Sequence, residues 1–310
     1  MTLKKFGILM LAFFLMAGIA SAQDASPAVK SLVDKRNAGT YKGQKKKGVI
    51  HGQGVYTWDN GDVYEGSFKD GKIDGFGIYK WADGDVYQGY FKDGKQEGEG
   101  TAYYAEKNNL YEGNWKAGKR NGKGKLKWSN GDTYEGDWVD DDRTGEGTFV
   151  AACGDEYMGH YVHNERNGVG TYKYENGDVY VGNWVNGEKE GEGVYTFANG
   201  ATYEGSFVLS KFEGEGKYTS KNGSVYVGNF HNDRRHGYGV YTTAGGTELA
   251  GNWDNNKYVG ASPSVKGIMT SLKTAIIANG AVTPFGYVLI GLAFLSLCWL
   301  VFRQIKPKKA

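Results

Sequence analysis

A 23-residue period dominates this chain. Tyr recurs at positions 41, 64, 87, 111, 134, 157, 180, 203 and 226, and only the 24-residue step from Tyr87 to Tyr111 departs, where Ala105 to Asn109 makes a longer loop. A truncated tenth copy begins at Leu249. A chain built this way folds as a stack of like units, each burying its apolar face against its neighbours rather than around one central core.

Each copy runs Tyr-x-Gly-x-aromatic, a polar turn, Gly-x-Gly-x-x-x-aromatic, then a second turn often written Asn-Gly or Asp-Gly. Tyr64 to Phe68, Gly75 to Trp81 and Asp83-Gly84 show the pattern whole. Two short alternating runs joined by such dipeptides predict a β-hairpin, because Asn and Gly accept the positive φ of a tight turn. Asn60-Gly61, Asn130-Gly131, Asn176-Gly177, Asn199-Gly200 and Asn222-Gly223 hold the same place in the period, so one hairpin per copy is expected. Pro27, Pro263, Pro284 and Pro307 all fall outside the array, leaving every residue between free to donate to a strand ladder.

Strand alternation puts Tyr64, Gly66 and Phe68 on one face, with Gly75, Gly77, Tyr79 and Trp81 on the same face of the return strand. Glu65, Ser67, Glu99, Lys125, Glu146 and Thr171 take the other, polar face. Three glycine columns, starting at Gly43, Gly52 and Gly54, hold 28 of the 50 glycines, and beside 15% aromatic residues they read as places where a ring lies on bare backbone. No helix-length apolar pattern interrupts the array. The fold class is therefore all-β: an elongated single-layer antiparallel sheet of about nine hairpins over 41–260, roughly 85 Å long at ~4.8 Å per strand.

The ends carry different signals. Residues 1–22 read as a signal peptide, with Lys4 and Lys5 before an apolar run and Ala20-Ser21-Ala22 as the cleavage site. Residues 23–40 read as a linker. A short helix is expected within 261–280, where Val265, Ile268, Met269, Leu272, Ile276 and Ile277 keep helical spacing; it would cap the open sheet edge or lie on a membrane surface. Ala281 to Phe302 is apolar and uncharged, the length of a transmembrane helix, and the tail 303–310 with Arg303, Lys306, Lys308 and Lys309 is placed in the cytoplasm by the positive-inside rule. The expected topology is a single-pass membrane protein with its array outside the cytoplasm. The compact signal sequence points to a bacterial periplasm, with an endomembrane lumen as the alternative.

Six of the 37 basic residues lie in these ends, leaving 31 against 35 acidic residues in the exported part. A mildly acidic domain is a poor nucleic-acid binder, since phosphate neutralisation carries most of that affinity. Cys153 falls in the exported array and Cys298 inside the membrane span, so they cannot pair within one chain, and Cys153 is a candidate for an intermolecular disulfide in a homodimer, with a free thiol as the alternative.

Tyr-Glu-Gly-Asn-Trp at 111–115, Tyr-Glu-Gly-Asp-Trp at 134–138 and the Gly-x-Gly segments with downstream aromatics resemble MORN (membrane occupation and recognition nexus) repeats over about 41–260. The resemblance implies an elongated, twisted antiparallel sheet acting as a scaffold or adaptor, often near membranes, with no catalytic residues. Lys45 stands in place of the first-strand aromatic in copy one, and Ala151, Ser220 and Thr243 in place of the second-strand aromatic in copies five, eight and nine. Weak hairpins or bends are expected there.

Catalysis, cofactors and metal find little support. Cys153, Glu156, His160 and His163 have the residue types of a zinc site, but a strand sends His160 and His163 to opposite faces. No Gly-x-Gly sits between a buried strand and a helix as phosphate cradling requires, and His51 and His236 read as turn residues. Lys45, Lys46 and Lys47, with Arg234 and Arg235 near the other end, are candidate contacts for anionic lipid or an acidic protein partner. Trp115, Trp138 and Trp184 are candidates for a second reading, in which an open aromatic face stacks cell-envelope glycan; their simpler role is packing over glycines.

Overall fold

The computed structural model describes residues 38–261, so the signal peptide, most of the linker, the 261–280 helix beyond Ala261, the transmembrane span and the basic tail lie outside the described residues. The described chain is twenty strands. They are β1 (Gly39–Lys46), β2 (Val49–Trp58), β3 (Val63–Lys69), β4 (Lys72–Lys80), β5 (Val86–Lys92), β6 (Lys95–Tyr104) and β7 (Asn109–Lys116). The middle of the array holds β8 (Lys119–Lys127), β9 (Thr133–Val139), β10 (Asp142–Val150), β11 (Glu156–Val162), β12 (Glu165–Lys173) and β13 (Val179–Val185). It closes with β14 (Glu188–Thr196), β15 (Thr202–Val208), β16 (Lys211–Thr219), β17 (Val225–His231), β18 (Arg234–Thr242), β19 (Glu248–Asp254) and β20 (Lys257–Gly260). Every strand pairs antiparallel with its chain neighbours, giving one open meander with β1 and β20 at its edges.

Register is set by glycine. Gly54 pairs with Gly66, Gly66 with Gly77, Gly77 with Gly89, and a glycine-to-glycine row continues to Gly251. The eight tyrosines from Tyr64 to Tyr226 lie on this row at 0–1% exposure. An added Cβ on Gly77 would stand 2.5 Å from the Tyr64 ring, and one on Gly193 would stand 2.6 Å from the Tyr180 ring. Each hydroxyl crosses its glycine and donates to the carbonyl three residues on, as Tyr64 does to Ser67 at 3.0 Å and Tyr180 to Asn183 at 2.9 Å. A phenol is thus buried with its polar end satisfied, which avoids the penalty of an unpaired buried hydroxyl. Burial of each ring contributes about 1.5–3 kcal/mol.

Among the described residues the rings form a ladder without a second layer. Tyr64 meets Phe68 and Phe91 edge-on with centroids 5.0 and 5.3 Å away, and Tyr111 meets Trp115 and Trp138 in the same way. Consecutive hairpins therefore share one continuous aromatic core.

Two local expectations need correction. The tight two-residue turns are Asp70-Gly71, Asp93-Gly94, Asn186-Gly187 and their equivalents, where both residues have positive φ. The Asn60-Gly61 column occupies a longer turn at the other end of the strands; there only the glycine is left-handed, and Gly61 donates to the Trp58 carbonyl. The second glycine column, Gly52 to Gly237, also serves a different purpose from ring packing. Its φ values run from +66° to +102°, and the register slips there in every hairpin, so these glycines form a bulge that L side chains resist.

The hairpins expected to be weak keep their form. Ala151, Ser220 and Thr243 make the same backbone bonds as Trp58, to Asp155, Ser224 and Thr247, because the turn is held by main chain and not by the missing ring. His51 and His236 lie within β2 and β18 rather than in turns. The expectation failed because the side chain of this column reaches forward: the Asp70 amide faces His51 Nδ1, while the equivalent Glu97 and Glu190 accept amides from the next tight turn.

Candidate interaction surfaces

The aromatic face is consumed by its own packing. Trp115, Trp138 and Trp184 are 3%, 2% and 3% exposed, so no sugar reaches their rings without unpacking the core, and the open aromatic groove expected for glycan is corrected accordingly. The indole nitrogens of Trp115 and Trp138 point inward to the Gly100 and Gly124 carbonyls, each at 3.1 Å.

A column of cations in the second position of the return strands escaped the sequence reading. Arg120, Arg143 and Arg166 recur at the 23-residue period and continue as Lys189, Phe212 and Arg235. Arg120 is almost fully buried; its Nε lies 3.1 Å from Asp141 Oδ1, its Nη2 donates to the Asp141 carbonyl, and its guanidinium carbon sits 4.3 Å from the Trp138 ring centre. Arg166 repeats the arrangement with the Gly187 carbonyl at 2.8 Å and the Trp184 ring at 4.5 Å. Each guanidinium ties one hairpin to the tight turn of the next while covering a ring, joining a directional hydrogen bond to a cation–π contact. Burial pulls Arg143 and Lys189 below their ordinary pKa values.

Arg235 belongs to this column. Its Nη2 donates to the Asn256 carbonyl at 2.9 Å and its guanidinium lies 4.4 Å from the Trp253 ring centre, so it is spent inside the fold. Arg234 is exposed and reaches Asn255 Oδ1. The two arginines therefore do not form one external patch.

At the opposite end of the strands a second column does similar work. Asp62 accepts the Ala82 amide and the Tyr79 hydroxyl, each at 3.0 Å, and Asp155 and Asp178 repeat both bonds to the following copy. Its signal was present as an acid immediately after the turn glycine, as in Gly61-Asp62, Gly154-Asp155 and Gly177-Asp178.

Cys153 is free and exposed in the long turn before β11, whereas His163 lies in the tight turn after it, 3.2 Å from Asp142. The four residues weighed for zinc are thus spread along a strand. Lys45 and Lys46 end β1, Lys47 opens the first tight turn, and all three are exposed. Lys45 Nζ stands 6.0 Å over the Tyr41 ring.

The open face alternates charged and apolar rows. Lys123 pairs with Asp137 at 2.8 Å and Lys125 with Glu135 at 3.3 Å, while Met158, Val181, Val194 and Val227 are 41–53% exposed farther along the same row. Its concavities are shallow grooves across the strands, one centred on Lys125 and Glu135 and one on Val194, Val227 and Val240.

Among known proteins, no curated sequence matches significantly. Solved structures give distant likenesses. The TCP10 domain of Danio rerio CPAP shares 13% identity over 64% of this chain and 99% of that one, with a TM-score of 0.25. The SAS-4 (dCPAP) TCP domain of Drosophila melanogaster, solved with a proline-rich motif of Ana2, shares 11% over 65% and 85%, with a TM-score of 0.23. Virginiamycin B lyase from Staphylococcus aureus shares 8% over 64% and 83%, with a TM-score of 0.15. These superpositions are too loose to carry an argument. The family model for the MORN repeat matches nine times, at 41–63, 64–86, 87–108, 111–133, 134–155, 157–179, 180–202, 203–225 and 226–248, and the chain belongs to the MORN repeat family.

Proposed function

We propose that this protein is a membrane-anchored, extracytoplasmic repeat scaffold without catalytic activity, holding a protein partner at a fixed reach from the bilayer. The observation that carries the reading is the closed aromatic ladder. Because the rings are used internally, the surfaces left for partners are the open face and the two edge strands, all held in one register by the glycine row. The apolar run 281–302 and its basic tail support the anchor, and the leader at 1–22 supports export. A glycan reading has less to stand on, since its three tryptophans lie in the core.

Exposed Cys153 supplies the test. A membrane-impermeant maleimide applied under reducing conditions to cells with a permeabilised outer layer is expected to label the wild-type chain and not Cys153→Ala. Labelling only after full lysis, with purified protein reacting normally, would refute the exported topology. Alkaline carbonate should leave the full chain in the membrane pellet and release a chain ending at residue 280. A Cys153-linked homodimer would run as a dimer on a non-reducing gel and as a monomer after reduction.

A further inference from the structure

The N-terminal edge of the sheet stands out from the rest of the array. β1 is eight residues long and pairs only with β2 among the described residues, so its outer row of backbone N–H and C=O groups faces away from the sheet. The opposite edge strand, β20, has four residues. From Gly39 to Trp58 the chain carries Lys42, Lys45, Lys46 and Lys47 and no acidic residue, and none of these lysines is ion-paired among the described residues. Lys42, Gln44 and Lys46 alternate onto the open face, two residues apart. Tyr41, the first tyrosine of the ladder, is half-buried where the next eight are 0–1% exposed, so the ladder stops one strand short of covering its first ring.

The array itself shows what such a strand accepts on its outer side. Where a return strand meets the following first strand, glycine faces glycine, a large residue faces the row tyrosine except for Ala102 opposite Tyr111, and the residue between the two glycines faces a polar side chain except for Phe76 opposite Tyr90. In β6, β10, β14 and β16 that residue is an acid, in Gly98-Glu99-Gly100, Gly145-Glu146-Gly147, Gly191-Glu192-Gly193 and Gly214-Glu215-Gly216. Glu192 faces Ser206 and accepts its hydroxyl at 2.6 Å. The equivalent position in β1 is Gln44, flanked on the same face by Lys42 and Lys46.

We infer that the β1 edge is a docking site for an extended acidic segment of a partner protein, which adds antiparallel to β1 with a Gly-acid-Gly-x-aromatic pattern. The partner's glycine would face Gly43, its acid would face Gln44 between the two lysines, and its ring would cover Tyr41. Edge lysines ordinarily block pairing with a like strand. Here the same lysines select against basic or self-pairing strands and favour an acidic one, because opposite charges on diagonal cross-strand positions attract. This site is independent of the membrane topology and rests only on the fold.

The test uses the full chain in neutral detergent and a fluorescent nine-residue peptide with the β14 sequence, Glu188 to Thr196. Anisotropy should report saturable binding that weakens with salt. The basic β8 sequence, Lys119 to Lys127, should not compete. A β14 peptide N-methylated at alternate residues on its pairing edge should also fail, because it keeps its charge and loses the ladder. Lys42→Glu with Lys46→Glu should weaken binding about tenfold, with hydrogen exchange elsewhere in the array unchanged; Lys42→Gln with Lys46→Gln should fall between. No binding of the β14 peptide, equal binding of the N-methylated form, or competition by the β8 sequence would each overturn the inference. So would binding of dihexanoyl phosphatidylserine that depends on Lys42 and Lys46 without any peptide binding, since the lysines would then be a lipid contact.

Discussion

At the residue scale the fold turns on the pairing of one tyrosine with two kinds of glycine. Gly193 lies under the Tyr180 ring, whereas Gly200 has open space around it and a φ of +87°. Gly193→Ala must displace a buried ring and is expected to destabilise its hairpin by about 1–3 kcal/mol. Gly200→Ala strains only the backbone and should cost about 1 kcal/mol. Hydrogen exchange of the β13–β16 amides compares them; equal effects would contradict the ring-on-glycine account. The same burial raises the phenol pKa values of Tyr64, Tyr87, Tyr111 and Tyr134 well above the ordinary range, and that of Tyr161 to about 12. A folded pKa above the unfolded one means the native state holds its proton longer. The associated stability is therefore complete below the unfolded value of about 10 and is lost as pH rises through the folded values. The thermal midpoint should hold to about pH 9 and fall steeply above about pH 10, checked by circular dichroism alongside phenolate absorbance.

At the scale of the element, several hairpins are tied to the next at the ends of their strands, by Asp62, Asp155 and Asp178 at the long turns and by Arg120, Arg143, Arg166 and Arg235 at the tight ones. Lys189 holds the arginine position in the joint between β14 and β16. It sits 4.9 Å from the Tyr195 ring centre and donates to the Tyr174 hydroxyl, where its arginine counterparts donate to a carbonyl of the next turn. Lys189→Arg is expected to restore that bond and stabilise the local joint by about 1 kcal/mol, seen as slower exchange in β14 to β16. Arg166→Lys should do the reverse by about 1–2 kcal/mol, losing the bond to Gly187 while keeping the charge. Identical exchange in both variants would show that the forked guanidinium adds nothing beyond charge.

At the scale of the whole molecule, strands contact their chain neighbours and stability is a sum of hairpins and joints. Excision of 157–179, one full period, joins Glu156 to Tyr180 in the register that Glu156 and Tyr157 hold now. The shortened chain should keep its β-sheet dichroism and unfold at a slightly lower midpoint. Removing twelve residues instead should disrupt the array, because it breaks the glycine row and reverses strand direction. Dichroism and limited proteolysis distinguish the two; comparable collapse of both would refute the nearest-neighbour picture.

Much of this is legible in the amino-acid sequence itself. The Tyr64-Gly66-Phe68 and Gly77-Tyr79-Trp81 alternation dictated which face is apolar, and the recurring 23-residue spacing dictated a repeat array, because period 2 and period 23 are properties of the chain itself. Turn identity was not fixed in this way. Asn60-Gly61 and Asp70-Gly71 look alike as dipeptides, and only the register of the strands they join, with Trp58 bonding Asp62 around the longer turn, selects which pair takes two left-handed residues. The fate of Trp115, Trp138, Trp184 and Arg235 was likewise decided by tertiary contact. A ring or a guanidinium is equally at home on a surface or in a core, and its burial depends on the hairpin beside it, which one copy of the motif does not contain.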